Sequence, residues 1–183
     1  EIKPTPLKDC FVIHHNLHGD DRGYFMEAFN CTRFKKFGLD FSVEQINIAQ
    51  SKKNVFRGLH FQLNPFAQTK IVLALSGAVI DLVVDLRKTS DTYLKYYKIK
   101  LDSPDKALWV PKGFAHGYFT LEDHTYFQYA VDRPYHAASE RSLSIYDPKL
   151  NITEDFTGAL FSSKDLASQS FNEIEHEFIA HSV

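Results

Sequence analysis

Apolar and polar positions alternate in short runs through most of the chain after Gly38, broken by Gly, Pro, Asp and Ser, which is the period of strands with unlike faces. The pattern predicts strands over Val43–Ala49, Arg57–Gln62, Thr69–Leu75, Ala78–Leu86, Tyr96–Leu101, Leu108–Val110, His116–Leu121, Thr125–Val131 and Ser142–Tyr146. Asp9–His15 is a further short strand, followed by a turn-like stretch from Leu17 to Gly23. Asn30–Phe37 is the one helix predicted in the front half, with Asn30 or Thr32 as N-cap and Gly38 as its stop. Ser76-Gly77 reads as a two-residue hairpin. Beyond Asn151 the alternation is lost, Ser162–Gln169 is a short helix capped by Ser162 or Ser163, and the last dozen residues, rich in Glu and His, read as a frayed end with solvated histidines. Many short strands joined by brief turns predict an all-β, antiparallel sandwich or barrel, with the jelly roll as the usual solution at this size.

A chain of 183 residues fits one domain with a real core, so a single unit over 1–183 is expected. With 21 basic against 23 acidic residues and a formal charge of -2, no overall field favours a nucleic acid or an anionic membrane, and neither is expected as a partner. Any anionic ligand must be held by a local cluster. Cys10 and Cys31 are too few for a disulfide framework and fit buried thiols in a reducing compartment. Neither a leader nor an apolar run near 18 residues stands out, so the expected location is the cytoplasm. The chain begins at Glu1 without a methionine, and some residues ahead of it are expected to be missing.

Four segments carry polar residues where a strand core prefers apolar ones: 21–27, 57–62, 68–70 and 110–117. Within Arg57-Gly58-Leu59-His60-Phe61-Gln62, the arginine and the imidazole share a strand face only if Gly58 bends or bulges the chain. Arg22, Arg57 and Lys70, converging in a barrel mouth, would form a cationic pocket for a phosphate or diphosphate. His60 is the candidate acid–base residue, with Asp165, Asp81 or Asp85 as the carboxylate that orients it. Tyr129 reads as a core aromatic whose hydroxyl needs a partner, a need that an acid role facing His60 would meet. No His-X-His pair occurs, and His14-His15, His116 and His124 are poorly spaced for a first shell, so no metal is expected. Neither a nucleophile elbow nor a glycine-rich nucleotide loop is present.

Taken together, Asp21-Arg22-Gly23 with Glu27, Gln45-Ile46-Asn47, the run Ser51 to Gln62, Gln68-Thr69-Lys70, Trp109 to Gly117, Phe127-Gln128-Tyr129 and Ser163-Lys164-Asp165 resemble the dTDP-4-dehydrorhamnose 3,5-epimerase family in order and spacing, over roughly residues 5 to 168. The resemblance implies a cofactor-free cupin-type jelly roll, acting as a homodimer, that inverts C3 and C5 beside the 4-keto group of a dTDP-linked 6-deoxyhexose. A relative that inverts only one of these centres is the alternative. By position it makes His60 the base, Asp165 its orienting carboxylate, Tyr129 the acid and Lys70 the cation on the enolate oxygen. Arg22, Glu27, Gln45, Asn47, Arg57, His116, Glu140 and Lys164 match substrate contacts, and Tyr135 the aromatic that stacks on thymine. The chain departs from the family pattern at Ala130, Pro134, Ile145 and Glu154-Asp155, positions expected to surround the sugar and base pockets.

Overall fold

In a computed structural model, which describes residues 1–180, the alternating segments become thirteen strands among the described residues. They are β1 (Ile2–Pro4), β2 (Phe11–His14), β3 (Leu17–Asp20), β4 (Gly23–Met26), β5 (Gln45–Ser51), β6 (Phe56–Gln62), β7 (Lys70–Ser76), β8 (Val79–Asp85), β9 (Tyr96–Leu101), β10 (Lys106–Val110), β11 (Phe114–Thr120), β12 (Thr125–Val131) and β13 (Glu140–Ser142). Helix α1 spans Cys31–Lys36, α2 Ser163–Leu166 and α3 Phe171–Ala180. One antiparallel sheet has the order β1-β2-β10-β7-β12-β5, a second has β13-β6-β11-β8-β9, and β3 pairs with β4 alone. This is the jelly-roll arrangement that the strand pattern predicts.

Strand alternation sorts the side chains into three packed layers. Val12, Val72, Ala74, Val79, Val83, Leu108 and Phe127 meet between the two sheets. Ile71, Leu73, Ala107 and Trp109, on the outer face of the first sheet, are covered by Phe34 of α1 and by Leu39 and Phe41 after it. Leu59, Phe61, Leu82, Val84 and Leu143, on the outer face of the second, are covered by Phe171, Ile174 and Phe178 of α3. Central strands buried on both faces explain why β7 and β8 read as nearly continuous apolar runs. Asn30 caps α1, its side chain accepting from the Arg33 amide at 3.1 Å, as the helix-start pattern predicts.

Four sequence expectations about the elements need correction. Ser76-Gly77 is not a hairpin turn, because β7 and β8 lie in different sheets and the chain crosses between them there. Gly77 has φ +77°, and a Cβ on it would stand 2.3 Å from Thr125 Oγ1, so close approach to β12 is what demands glycine. The turn-like stretch after Leu17 is the β3–β4 hairpin, whose own turn is Asp21-Arg22. Of the last dozen residues, those described, to Ala180, are not frayed: they continue α3, where Phe171, Ile174 and Phe178, at spacings of three and four, bury one face. His181 of that segment lies outside the described residues. The strand expected over Ser142–Tyr146 forms earlier, as β13.

Candidate functional site

Between the sheets, at the end where inward positions turn polar, lies a cleft of about 520 Å³. Alternation delivers its walls: Gln45 and Asn47 from β5, Lys70 from β7 and Tyr129 from β12 on the first sheet, and Arg57, His60 and Gln62 from β6 with His116 and Tyr118 from β11 on the second. Glu140, Tyr135, Lys164 and Asp165 line it as well. Arg57 and His60 share the inner face because β6 carries the anticipated bulge. The register pairs His116 with His60 but Tyr118 with Arg57, placing three steps of β6 against two of β11. Gly58 takes φ +125° there, and a Cβ on it would lie 2.5 Å from Gly117 Cα and 2.7 Å from the His116 carbonyl oxygen. Two glycines back to back thus let the strands approach closely enough to aim both histidines inward.

His60 Nε2 stands 2.6 Å from Asp165 Oδ1. The second carboxylate oxygen accepts from Ser162 Oγ at 2.8 Å, and Ser162 Oγ in turn accepts from the Asp165 amide, capping α2. Burial would raise the Asp165 carboxyl, but hydrogen bonds from His60 and Ser162, with the Gly58 amide contributing, outweigh it and hold the group below the usual range. A carboxylate on Nε2 leaves Nδ1 of His60 as the nitrogen able to take a proton. Lys70 is buried at the cleft wall, its Nζ donating to the His60 carbonyl oxygen at 3.4 Å. Desolvation drives its ammonium down to about 8, against the opposing charges of Asp81 and Glu140. Tyr129 faces His60 from the other sheet, and burial, partly offset by Arg57, raises its hydroxyl above the ordinary value, so it stays protonated at neutral pH.

At the rim, Lys164 Nζ pairs with Glu140 Oε2 at 2.6 Å, and the Tyr135 hydroxyl donates to the same carboxylate oxygen at 2.7 Å. The hydrogen bonds from Lys164 and Tyr135 hold Glu140 below the ordinary range although burial opposes them. Gln45 Oε1 accepts from the Tyr135 amide at 2.9 Å, and its amide group donates to Asn47 Oδ1 at 2.8 Å. Arg57 Nε donates to Ser51 Oγ at 3.1 Å, which stretches the guanidinium along the first wall.

Of the three carboxylates open as partners for His60, Asp165 takes the position. Asp81 Oδ2 instead stands 2.9 Å from His116 Nε2, and Asp85 is bound by Arg87, Ser90 and Thr92. The expected convergence of Arg22 with Arg57 and Lys70 does not occur within one copy of the chain. Arg22 sits on the β3–β4 turn, its side chain 89% exposed and paired with Asp20, while Glu27 pairs with Arg33 beside a smaller pocket. Among the described residues, the cations that line the cleft are Arg57, Lys70 and Lys164. Three of the four departures from the family pattern also stand apart from it. Ala130 and Ile145 pack in the outer layers, and Glu154 pairs with Lys98. Pro134 alone adjoins the cleft, its carbonyl oxygen accepting from Gln62 at 3.4 Å. Sequence reasoning missed Tyr118 and the Ser162 contact to Asp165; an N-cap serine three residues ahead of the aspartate was the available signal for the latter.

Comparisons with known proteins follow the same line. The family model for dTDP-4-dehydrorhamnose 3,5-epimerase matches residues 4–173. The chain is 42% identical over 175 residues to the dTDP-4-dehydrorhamnose 3,5-epimerase of Sinorhizobium fredii, covering 94% of this chain and 90% of that one. It superposes on the Bacillus anthracis enzyme of the same name, solved with TDP and pyrophosphate, with a TM-score of 0.89 at 37% identity, covering 93% and 98% of the two chains. For the Legionella pneumophila dTDP-6-deoxy-D-glucose-3,5-epimerase, in complex with dTDP-4-keto-L-rhamnose, the TM-score is 0.91 at 34% identity, covering 97% and 95%.

Proposed function

Because this chain belongs to the dTDP-4-dehydrorhamnose 3,5-epimerase family and is an epimerase of a dTDP-linked 4-keto-6-deoxyhexose, we propose that His60 and Tyr129 serve as base and acid on opposite faces of the sugar. The carbonyl at C4 acidifies the protons on C3 and C5, so the reaction needs a base, a cation for the enolate oxygen and an acid across the ring. His60, with Asp165 on Nε2, offers Nδ1 as the base, and the carboxylate stabilises the imidazolium that forms. Lys70, an ammonium up to about pH 8, faces the developing oxyanion, an electrostatic contribution of about 3–4 kcal/mol for one well-aimed donor. Tyr129, on the facing sheet, returns a proton from the other side. The observation that carries the reading is the His60–Asp165 pair on one wall with Tyr129 and Lys70 on the other.

Arg57 and Lys164 suit the diphosphate, the first by its fork and the second as a point charge. Gln45, Asn47, His116 and Glu140 supply hydrogen bonds to sugar and nucleotide, and Tyr135, with its ring at the rim, stacks on the thymine. Arg22 and Glu27 contact substrate in a homodimer, where the hairpin of one copy reaches the cleft of the other. In support, that hairpin pairs with neither main sheet and exposes Tyr24 and Phe25. A cytoplasmic location fits Cys10 and Cys31 both being free thiols, although only Cys10 is buried as expected and Cys31 is exposed. Among the described residues no helix is long and apolar enough to cross a membrane.

The test is NMR of dTDP-4-keto-6-deoxyglucose in deuterium oxide with wild-type protein and His60→Ala. Wild type should exchange at C3 and C5, and the variant should lose about 10²–10⁴-fold at both positions while still binding dTDP. Exchange at the wild-type rate in the variant removes His60 as the base.

A further inference from the structure

One carboxylate beside the cleft has no part in the reading above. Asp81 points inward from β8, between Val79 and Val83, and is 0% exposed. Oδ2 lies 2.9 Å from His116 Nε2, while Oδ1 is buried with no hydrogen-bond partner among the described residues. A half-satisfied buried carboxylate is a poor stabilising device, because desolvating it costs more than one hydrogen bond returns. An apolar residue would suit the layer better, since Leu82, Val83 and Val84 follow it. Two groups of the cleft do depend on it. His116, 6% exposed, has its Nε2 proton and ring orientation set by Oδ2, which leaves Nδ1 as the nitrogen open to substrate. Lys70, reaching in from the facing sheet, keeps its charge against desolvation chiefly through Asp81 and next through Glu140.

Resting on the epimerase reading of this cleft, we infer that Asp81 is a positioning residue for the reaction: its hydrogen bond fixes the His116 ring, and its inward carboxylate on one sheet sets the charge facing Lys70 on the other, where the enolate oxygen forms. The charged and titratable groups that line the cleft with Lys70 are Arg57 and His60 of β6, His116 and Tyr118 of β11, Tyr129 of β12, Tyr135, Glu140 of β13, and Lys164 and Asp165 of α2, with Asp81 of β8 behind His116. Asp81 and Glu140 are the carboxylates among them that favour the Lys70 ammonium. Removing the Asp81 charge therefore leaves Glu140 alone to oppose desolvation, and the Lys70 ammonium loses its proton at lower pH.

The experiment compares wild type with Asp81→Asn and with Asp81→Leu, an apolar residue of similar size. Three quantities are read: thermal unfolding, the pH dependence of turnover on the dTDP-4-keto sugar, and the titration of Lys70 followed by NMR of its ¹³Cε, assigned with Lys70→Arg. The expected result is an unfolding temperature equal to wild type or higher. The Lys70 titration and the alkaline limb of kcat should both move about 1 pH unit or more towards acid. At pH 7.5 kcat should fall about 10-fold or more with KM changed little, as when a partner that orients a working group is removed. An unmoved Lys70 titration, or a kcat loss equal at every pH, overturns the inference, as does failure of both variants to fold, which makes Asp81 structural. If wild type itself exchanges no proton of the sugar, the epimerase reading fails, and the inference fails with it even if Lys70 titrates as expected.

Discussion

A single hydroxyl decides whether the two walls work as a pair. In Tyr129→Phe the ring keeps its packing beside Phe127 on the inner face of β12, so the strand should hold, and His60 with Asp165 should still withdraw protons from its side of the sugar. With no acid opposite, the enolate is reprotonated mostly by the base that made it. The expected outcome is deuterium at C3 and C5 with little inverted product, and normal yields of epimer from the variant contradict the two-wall mechanism. A pH prediction follows from Lys70. If the ammonium is the active form, burial sets its alkaline limit at about 8, so kcat/KM should fall about tenfold per unit above that value, whereas an ordinary lysine would hold activity towards pH 10. A profile flat to pH 9.5 would remove the ammonium from the mechanism. At this scale the sequence is legible where local geometry carries the message and silent where pairing is through space. Arg57 and His60 on one face follow from Gly58, but nothing in the spacing distributes Asp81, Asp85 and Asp165 among His116, Arg87 and His60.

At the scale of elements, the inward aim of His60 and His116 depends on one close approach of strands. Gly58 and Gly117 face each other across β6 and β11, and a methyl on Gly58 would meet backbone atoms that have no flexible end to give way. Gly58→Ala adds strain of about 1–3 kcal/mol at φ +125° and overpacking of similar size. Unfolding should occur at least ~5 °C lower. Since the Gly58 amide also serves Asp165, exchange activity should fall more than stability. A variant with wild-type melting and turnover would show that the bulge is not needed. The alternation made most of these strands readable, β6, β9 and β12 nearly to their ends, because each presents unlike faces to unlike layers. The elements that were misread carry less of that contrast. All four residues of β3 are exposed, so the β3–β4 hairpin has no period-two signal, and the acidic face of α3 outweighed the three apolar residues that dock it.

On the whole molecule, a formal charge of -2 leaves substrate capture to local cations, and the cleft of one copy holds Arg57, Lys70 and Lys164 while Arg22 stands apart on its hairpin. The family resemblance puts Arg22 at the substrate, whereas one copy of the chain leaves it beside Asp20. Both statements hold together if each site takes its Arg22 from the partner, and two-fold symmetry then makes the arrangement reciprocal. The prediction is subunit complementation. Arg22→Ala and His60→Ala should each be poorly active alone. When the two are co-expressed and allowed to mix, a mixed dimer pairs the intact His60 of one copy with the intact Arg22 of the other, and gathers both lesions in the second site. With random pairing about half of the dimers are mixed, so roughly a quarter of all sites should recover wild-type turnover. If Arg22 serves its own subunit's cleft, or no cleft, mixing restores nothing beyond the average of the two variants. A sedimentation measurement on the same sample separates these cases from a chain that stays monomeric, where neither recovery nor a dimer appears.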